Sequence, residues 1–133
     1  PSDGFYEWRR TGGPKQPYLL HPPDEAVLAM AGFWAVWKDP EPGLWVPSAA
    51  IITTEANRLM SSIHDRMPVL LPREIWDDWL DPGFDDTEYL GSLLEPAPDD
   101  VLGMYPISTT VNNVRNQGPE LIVPVEENET LAL

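Results

Sequence analysis

The sequence contains no cysteine, which excludes disulfides and thiolate metal sites and leaves the redox compartment unread. Positive charge is scarce. Only 8 Lys and Arg stand against 22 Asp and Glu, giving a formal net charge of −14 over 133 residues. Phosphate binding normally needs a basic surface, so this sum argues against nucleic acid. No apolar run approaches ~18 residues and no secretory pattern stands at Pro1, so no membrane partner is expected. His21 and His64 share no ligand spacing, so no metal is expected, and no cofactor motif is present. The simplest reading is a cytoplasmic protein, monomeric and without a cofactor.

What the sequence does have is aromatic and apolar content, with 6 Trp, 4 Tyr, 3 Phe and 42% hydrophobic residues. That suffices for one modest core in one domain. The 16 prolines are scattered between apolar runs and punctuate loops, so many short elements joined by rigid turns are expected. Charge is uneven as well as negative. Seven acids lie between Glu74 and Glu88, whereas Arg9, Arg10, Lys15, Arg58 and Arg66 lie elsewhere. The distribution leaves room for a locally basic cleft on an acidic body.

Gly4–Trp8 reads as a strand, Arg10–Pro17 as a turn, and Tyr18–His21 as the returning strand. Val27–Trp37 is apolar at nearly every position, the pattern of a strand buried on both faces. Pro40, Pro42, Gly43 and Pro47 mark a loop, Ala49–Thr54 a strand and Glu55–Met60 a helical turn. Pro72–Leu80 is the clearest helix: Pro72 suits its first turn, and Ile75, Trp76, Trp79 and Leu80 share a face. A second helix is expected over Glu88–Leu94, with Asp86 or Thr87 as N-cap. Asp81–Asp86 and Glu95–Asp100 read as loops, and Met104–Val111 and Leu121–Val125 as late strands. Without regular βαβ alternation the class is α+β.

Three segments carry a resemblance. Pro1-Ser2-Asp3-Gly4-Phe5-Tyr6-Glu7-Trp8 is followed by Lys15-Gln16-Pro17-Tyr18. Ile52-Thr53-Thr54-Glu55-Ala56-Asn57 precedes Ile63-His64-Asp65-Arg66-Met67-Pro68. Val111-Asn112-Asn113 precedes Arg115-Asn116, and Gly32-Phe33-Trp34 lies between the first two segments. In this order they resemble the SOS-response-associated peptidase (SRAP) family from Pro1 to about Val125. The fold so implied is a mixed, strongly bent β-sheet with a barrel-like core and short flanking helices.

The resemblance also implies chemistry on an aldehyde. In the family an N-terminal Cys condenses with the ring-opened sugar of an abasic site in single-stranded DNA, giving a thiazolidine crosslink. Self-processing peptidase activity is associated with it. Glu7 corresponds to the family's general acid/base, and His64 to the histidine that assists ring opening and imine formation. Arg66 is expected to hold a DNA phosphate and Thr53 to line the pocket. Opening a hemiacetal and forming an imine both need proton shuttling, for which carboxyl and imidazole groups are suited at neutral pH. A guanidinium fork matches phosphate, and Tyr6 and Trp8 offer stacking surfaces to unpaired bases. The family's Cys and a catalytic Asn precede the Gly-Phe-Tyr-Glu-Trp motif. Residues 1–133 are therefore expected to be a single SRAP domain fragment lacking the Cys-bearing part, inactive alone in crosslinking.

Plainer readings stand beside these. Glu7 alone is a solvated strand residue, His64 a histidine bonded near Asp65, and Arg66 an ion-pair partner of Asp65 or another acid. Thr53 and Thr54 serve β-propensity, Asn112 to Asn116 form a turn, and Trp76 and Trp79 belong to the core. His21 is structural or exposed. The rival overall reading is a degenerate or truncated homologue that acts as a non-catalytic binding module through its acidic surface. A protease on foreign substrates ranks last, since no Ser/His/Asp arrangement is visible.

Overall fold

In the computed structural model, which describes residues 1–9, 12–24, 26–41 and 43–126, the first hairpin forms where alternation places it. Strand β1 (Phe5–Arg9) pairs antiparallel with β2 (Gln16–His21), and β2 pairs on its other side with β7 (Gly103–Pro106). The register sets Phe5 opposite Leu20, Glu7 opposite Tyr18 and Arg9 opposite Gln16. Successive side chains leave a strand on opposite faces, so Phe5, Glu7, Arg9, Tyr18 and Leu20 share one face. That face carries the larger core, in which Tyr18 and Leu20 are buried with Leu28, Met60, Ile63, Met67, Ala97 and Leu102.

Two shorter pairings complete the β structure. Strand β5 (Thr53–Glu55) runs antiparallel to β6 (Arg66–Pro68). The pairing continues as single backbone bonds from Val69 N–H to Ile52 O, Ala31 N–H to Val69 O and Leu71 N–H to Ala29 O. These bonds hold the second core, where Ala31, Val69, Leu71 and Ile75 are buried. A ribbon of β3 (Gly32–Lys38) and β4 (Trp45–Ile51) then leaves this core as a two-stranded hairpin. At its root a Cβ on Gly32 would meet Ala50 O at 2.8 Å, so only glycine allows so close a backbone approach. The Trp79 indole N–H donates to Gly32 O at 3.2 Å.

The helices are short. A 3₁₀ turn (Arg73–Ile75) after Pro72 runs into α1 (Trp76–Leu80), and Asp86 caps α2 (Thr87–Ser92) by accepting from Tyr89 N–H at 2.9 Å. Trp76 and Trp79 pack against the second core as expected, but Leu80 at the helix end is exposed. The chain is α+β, with three antiparallel sheets and no closed barrel among the described residues. No helix among them is long and apolar enough to cross a membrane.

Several expectations fail locally. The run from Val27 becomes a strand only at Gly32, and β3 is exposed on both faces instead of buried. Strand β4 begins at Trp45 and passes through Pro47, which sits opposite Val36. Among the described residues no third strand lies beside β4, and an edge tolerates the missing N–H. Glu55 ends β5 instead of starting a helical turn, which forms later as a 3₁₀ helix over Met60–Ser62. Strand β7 ends at Pro106, and Ser108 caps a 3₁₀ turn over Thr109–Asn112 by accepting from Thr110 N–H. Pro119–Ile122 is another 3₁₀ turn, leaving a single bridge between Ile107 and Pro124 where a late strand was expected. Arg10, and the acids at Glu127 and Glu129, lie outside the described residues.

Candidate functional site

The residues between β5 and β6 form a loop whose shape depends on one buried amide. The Asn57 side chain donates to Ala97 O at 3.0 Å, its Oδ1 accepts from Met60 N–H at 2.9 Å, and only 9% of the residue is exposed. A buried amide with both ends bonded stays in one orientation. The Met60 and Ile63 side chains anchor the same loop in the larger core. The Arg58 guanidinium and backbone N–H both bond Asp99, at 3.0 and 2.9 Å. Asn57 was visible in the sequence only as part of a motif, since its neighbours Ala56 and Arg58 give no sign that the amide is buried.

This loop delivers His64 to the rim of an open cleft of about 680 Å³, lined by Trp8, Arg9, Glu55, Ala56, Ser61, Ser62, Ile63, His64 and Asp65. Its charge is mixed. Arg9 and His64 share its lining with Glu55 and Asp65, so the cleft is not lined by cations alone. The Arg9 guanidinium lies 5.2 Å over the Tyr18 ring. Burial pushes the Tyr18 hydroxyl above the ordinary phenol value, while the nearby Arg9 charge pulls it back down.

His64 has partners suited to either protonation state. Its Nδ1 accepts from Arg66 N–H at 3.0 Å, which puts the proton of the neutral ring on Nε2. The same Nδ1 lies 3.1 Å from Arg66 O and 3.3 Å from Asp65 Oδ1, so acceptors stand ready when Nδ1 itself carries a proton. Arg66 is fixed in turn. Its Nη2 donates to Thr53 O and to Thr53 Oγ1, both at 2.7 Å. Two of five guanidinium hydrogens are engaged, and among the described residues those on Nε and Nη1 have no bond. His64, Arg66 and Thr53 thus form one bonded set across β5 and β6.

Glu7 is reached differently. It makes no direct bond to those three among the described residues, and it does not line the cleft. Its side chain leaves β1 between Phe5, which packs on the core holding Met60 and Ile63, and Arg9, which lines the cleft. The cleft thus brings His64 together with Trp8 and Arg9 of β1 but not with Glu7. Trp8 leaves β1 on the other face, where its indole N–H donates to Asn112 Oδ1 at 2.6 Å. Tyr6 meets Trp8 edge to face, with ring centroids 6.4 Å apart. Asn116 supports the same turn by donating from its side chain to Thr110 O.

His21 belongs elsewhere. Its Nδ1 lies 2.7 Å from Pro22 O and its ring packs against Tyr105, so it is structural. Among the described residues no group of three or more His, Cys, Asp or Glu is placed to hold a metal ion.

Comparison with known proteins places this arrangement in a family. The profile of the SOS response associated peptidase (SRAP) matches residues 1–114. The chain is 42% identical over 123 residues to the abasic site processing protein YoqW of Bacillus subtilis, spanning 92% of this chain and 54% of that protein. It is 38% identical over 144 residues to the abasic site processing protein HMCES of Gallus gallus, spanning 94% and 42%. A crystal structure of a Bacteroides thetaiotaomicron protein superposes with a TM-score of 0.82 at 32% identity, spanning 93% of this chain and 54% of that one. The chain therefore spans about half the length of the relatives it matches, or less. On the family profile and on these relatives together, the chain belongs to the SRAP family.

Proposed function

We propose that this chain supplies the proton-transfer and phosphate-holding side of an SRAP site that captures abasic sites in single-stranded DNA. The capture forms a thiazolidine crosslink, with self-processing peptidase activity associated. Glu7 and His64 move protons as the sugar opens and the imine forms, Arg66 holds a phosphate, and Thr53 walls the pocket. The observation that carries the reading is the bonded set of His64, Arg66 and Thr53 beside an open cleft.

Each feature has a use in that chemistry. An imidazole with bonding partners in both protonation states returns to its starting geometry after each transfer. A guanidinium held by Thr53 presents its remaining hydrogens in a fixed direction, so it positions phosphate at little cost in ordering. A cleft holding acids as well as cations suits a sugar better than a run of phosphates. Thiazolidine formation consumes both an amine and a thiol, and residues 1–133 contain no cysteine, so the nucleophile lies outside them.

The test joins residues 1–133 to the part of YoqW that they do not match and incubates the product with abasic and with intact single-stranded DNA. A denaturation-resistant band is expected on abasic DNA only. Glu7→Gln should slow its formation by about 10²-fold or more, the usual scale for losing a general acid/base. An unchanged rate removes Glu7 from the mechanism, and a band from the 133-residue chain alone refutes the external nucleophile.

A further inference from the structure

Asn57 takes no part in the chemistry proposed above, yet among the described residues it is the only polar or charged residue in the buried set. Burying an amide is costly unless both its ends are bonded. Here both are, and the bonds lead to the cleft. Nδ2 donates to Ala97 O at 3.0 Å, 40 residues further along the chain, and lies 3.4 Å from Pro98 O. Oδ1 accepts from Met60 N–H at 2.9 Å, as a capping side chain does at the start of a helix. Met60 O in turn accepts from His64 N–H at 2.8 Å. Two hydrogen bonds therefore join the buried amide to the backbone of His64. The far side of His64 is held separately. Asp65 O accepts from Ala56 N–H at 3.0 Å, and Arg66 pairs with Glu55 across β5 and β6. Strand pairing thus holds Arg66 and Thr53 without help from Asn57, whereas the imidazole stands between that pairing and the turn that Asn57 caps.

We propose that Asn57 is a positioning residue for His64. Acting through Met60, it sets where the imidazole stands relative to Arg66 N–H, and so which ring nitrogen carries the proton at the rim of the cleft. The inference rests on the proton-transfer role proposed for His64. A packing role alone fits less well, because an apolar side chain would fill the same space without the cost of burying an amide. Direct contact with DNA fits less well too, because Asn57 is buried and does not line the cleft.

The experiment compares two substitutions. Asn57→Ala removes both ends of the amide. Asn57→Ser keeps an acceptor for Met60 N–H, as serine does at caps, but is too short to reach Ala97 O. Both leave Ala97 O without its donor, so the difference between them reports the bond to Met60. Nitrogen-15 spectra of the 133-residue chain at about pH 9, where imidazoles are neutral, should show the His64 proton wholly on Nε2. Asn57→Ala should move these signals towards the averaged values of free histidine, and Asn57→Ser should restore them. His21, whose Nδ1 donates to Pro22 O at 2.7 Å, should carry its proton on the other nitrogen and stay unchanged in every variant. In the joined protein, Asn57→Ala should lower the crosslinking rate at saturating DNA by about 10-fold or more, as misplacing a reacting group does. The half-saturating DNA concentration should stay within about 2-fold, since the loss falls on the chemical event and not on binding. Asn57→Ser should recover most of the rate. If circular dichroism shows Asn57→Ala unfolded, Asn57→Gly, tolerated at caps, takes its place. A parent His64 without a single protonated nitrogen overturns the proposal. So does an Asn57→Ala spectrum equal to the parent's, a folded Asn57→Ser as impaired as Asn57→Ala, or a loss confined to half-saturation. A joined protein that never crosslinks refutes the chemistry proposed for the cleft, whereas the spectra still decide the positioning.

Discussion

Tyr18 is the residue at which burial and charge meet most directly. It is buried opposite Glu7, and its hydroxyl is held above the ordinary phenol value by desolvation, with Arg9 opposing. Because the folded-state value is raised, the folded protein resists ionisation more than the unfolded chain does. The contribution to stability is fully present below about pH 10, the unfolded phenol value, and is lost as pH rises through the folded value. Melting temperature should therefore fall at alkaline pH, and Tyr18→Phe should flatten that part of the profile. Equal alkaline slopes in thermal melts of the two proteins would remove Tyr18 as the cause. At this scale the sequence was partly readable. The resemblance flagged His64 and Arg66, but not the two bonds from Arg66 to Thr53. Those bonds depend on β5 lying beside β6, a pairing across a loop that spacing does not specify.

Among the elements, β2 is the middle strand of its sheet and the ribbon is its opposite in packing. Leu20 is fully buried in β2, so Leu20→Ala should cost about 2–5 kcal/mol. Trp37→Ala on the exposed ribbon should change the lone chain's stability by no more than about 0.5 kcal/mol, as at ordinary surface positions. Urea denaturation of both variants checks the contrast, and a large loss at Trp37 would mean that the ribbon is packed after all. The same contrast explains what the sequence could and could not show about elements. Strands β1 and β2 alternate and pair through a short turn, so local pattern located them. The apolar run into β3 signalled burial on both faces, and the strand is exposed on both, because apolar pattern reports a tendency to be covered and not the presence of a cover. Residues 104–125 failed for another reason: Pro106 and Pro119 break the late strands into 3₁₀ turns that β-branched composition alone conceals.

For the whole molecule, the net charge of −14 sets how stability responds to salt. Like charges repel more in the compact state than in the open chain, and the screening length falls to about 10 Å near 0.1 M ionic strength. Melting temperature should rise between about 10 mM and 150 mM sodium chloride. Scanning calorimetry reads this directly, and a fall would show that pairs such as Arg58–Asp99 outweigh the repulsion.

The bond from the Trp8 indole to Asn112 spans 104 positions in sequence. Drawing together the ends of so long a loop costs about 4 kcal/mol in chain entropy, and β7 must already lie beside β2 before that expense is shared. During translation the tryptophan emerges 104 residues ahead of its amide and waits for it. The outer edge of β1 is therefore among the last parts of the protein to be secured.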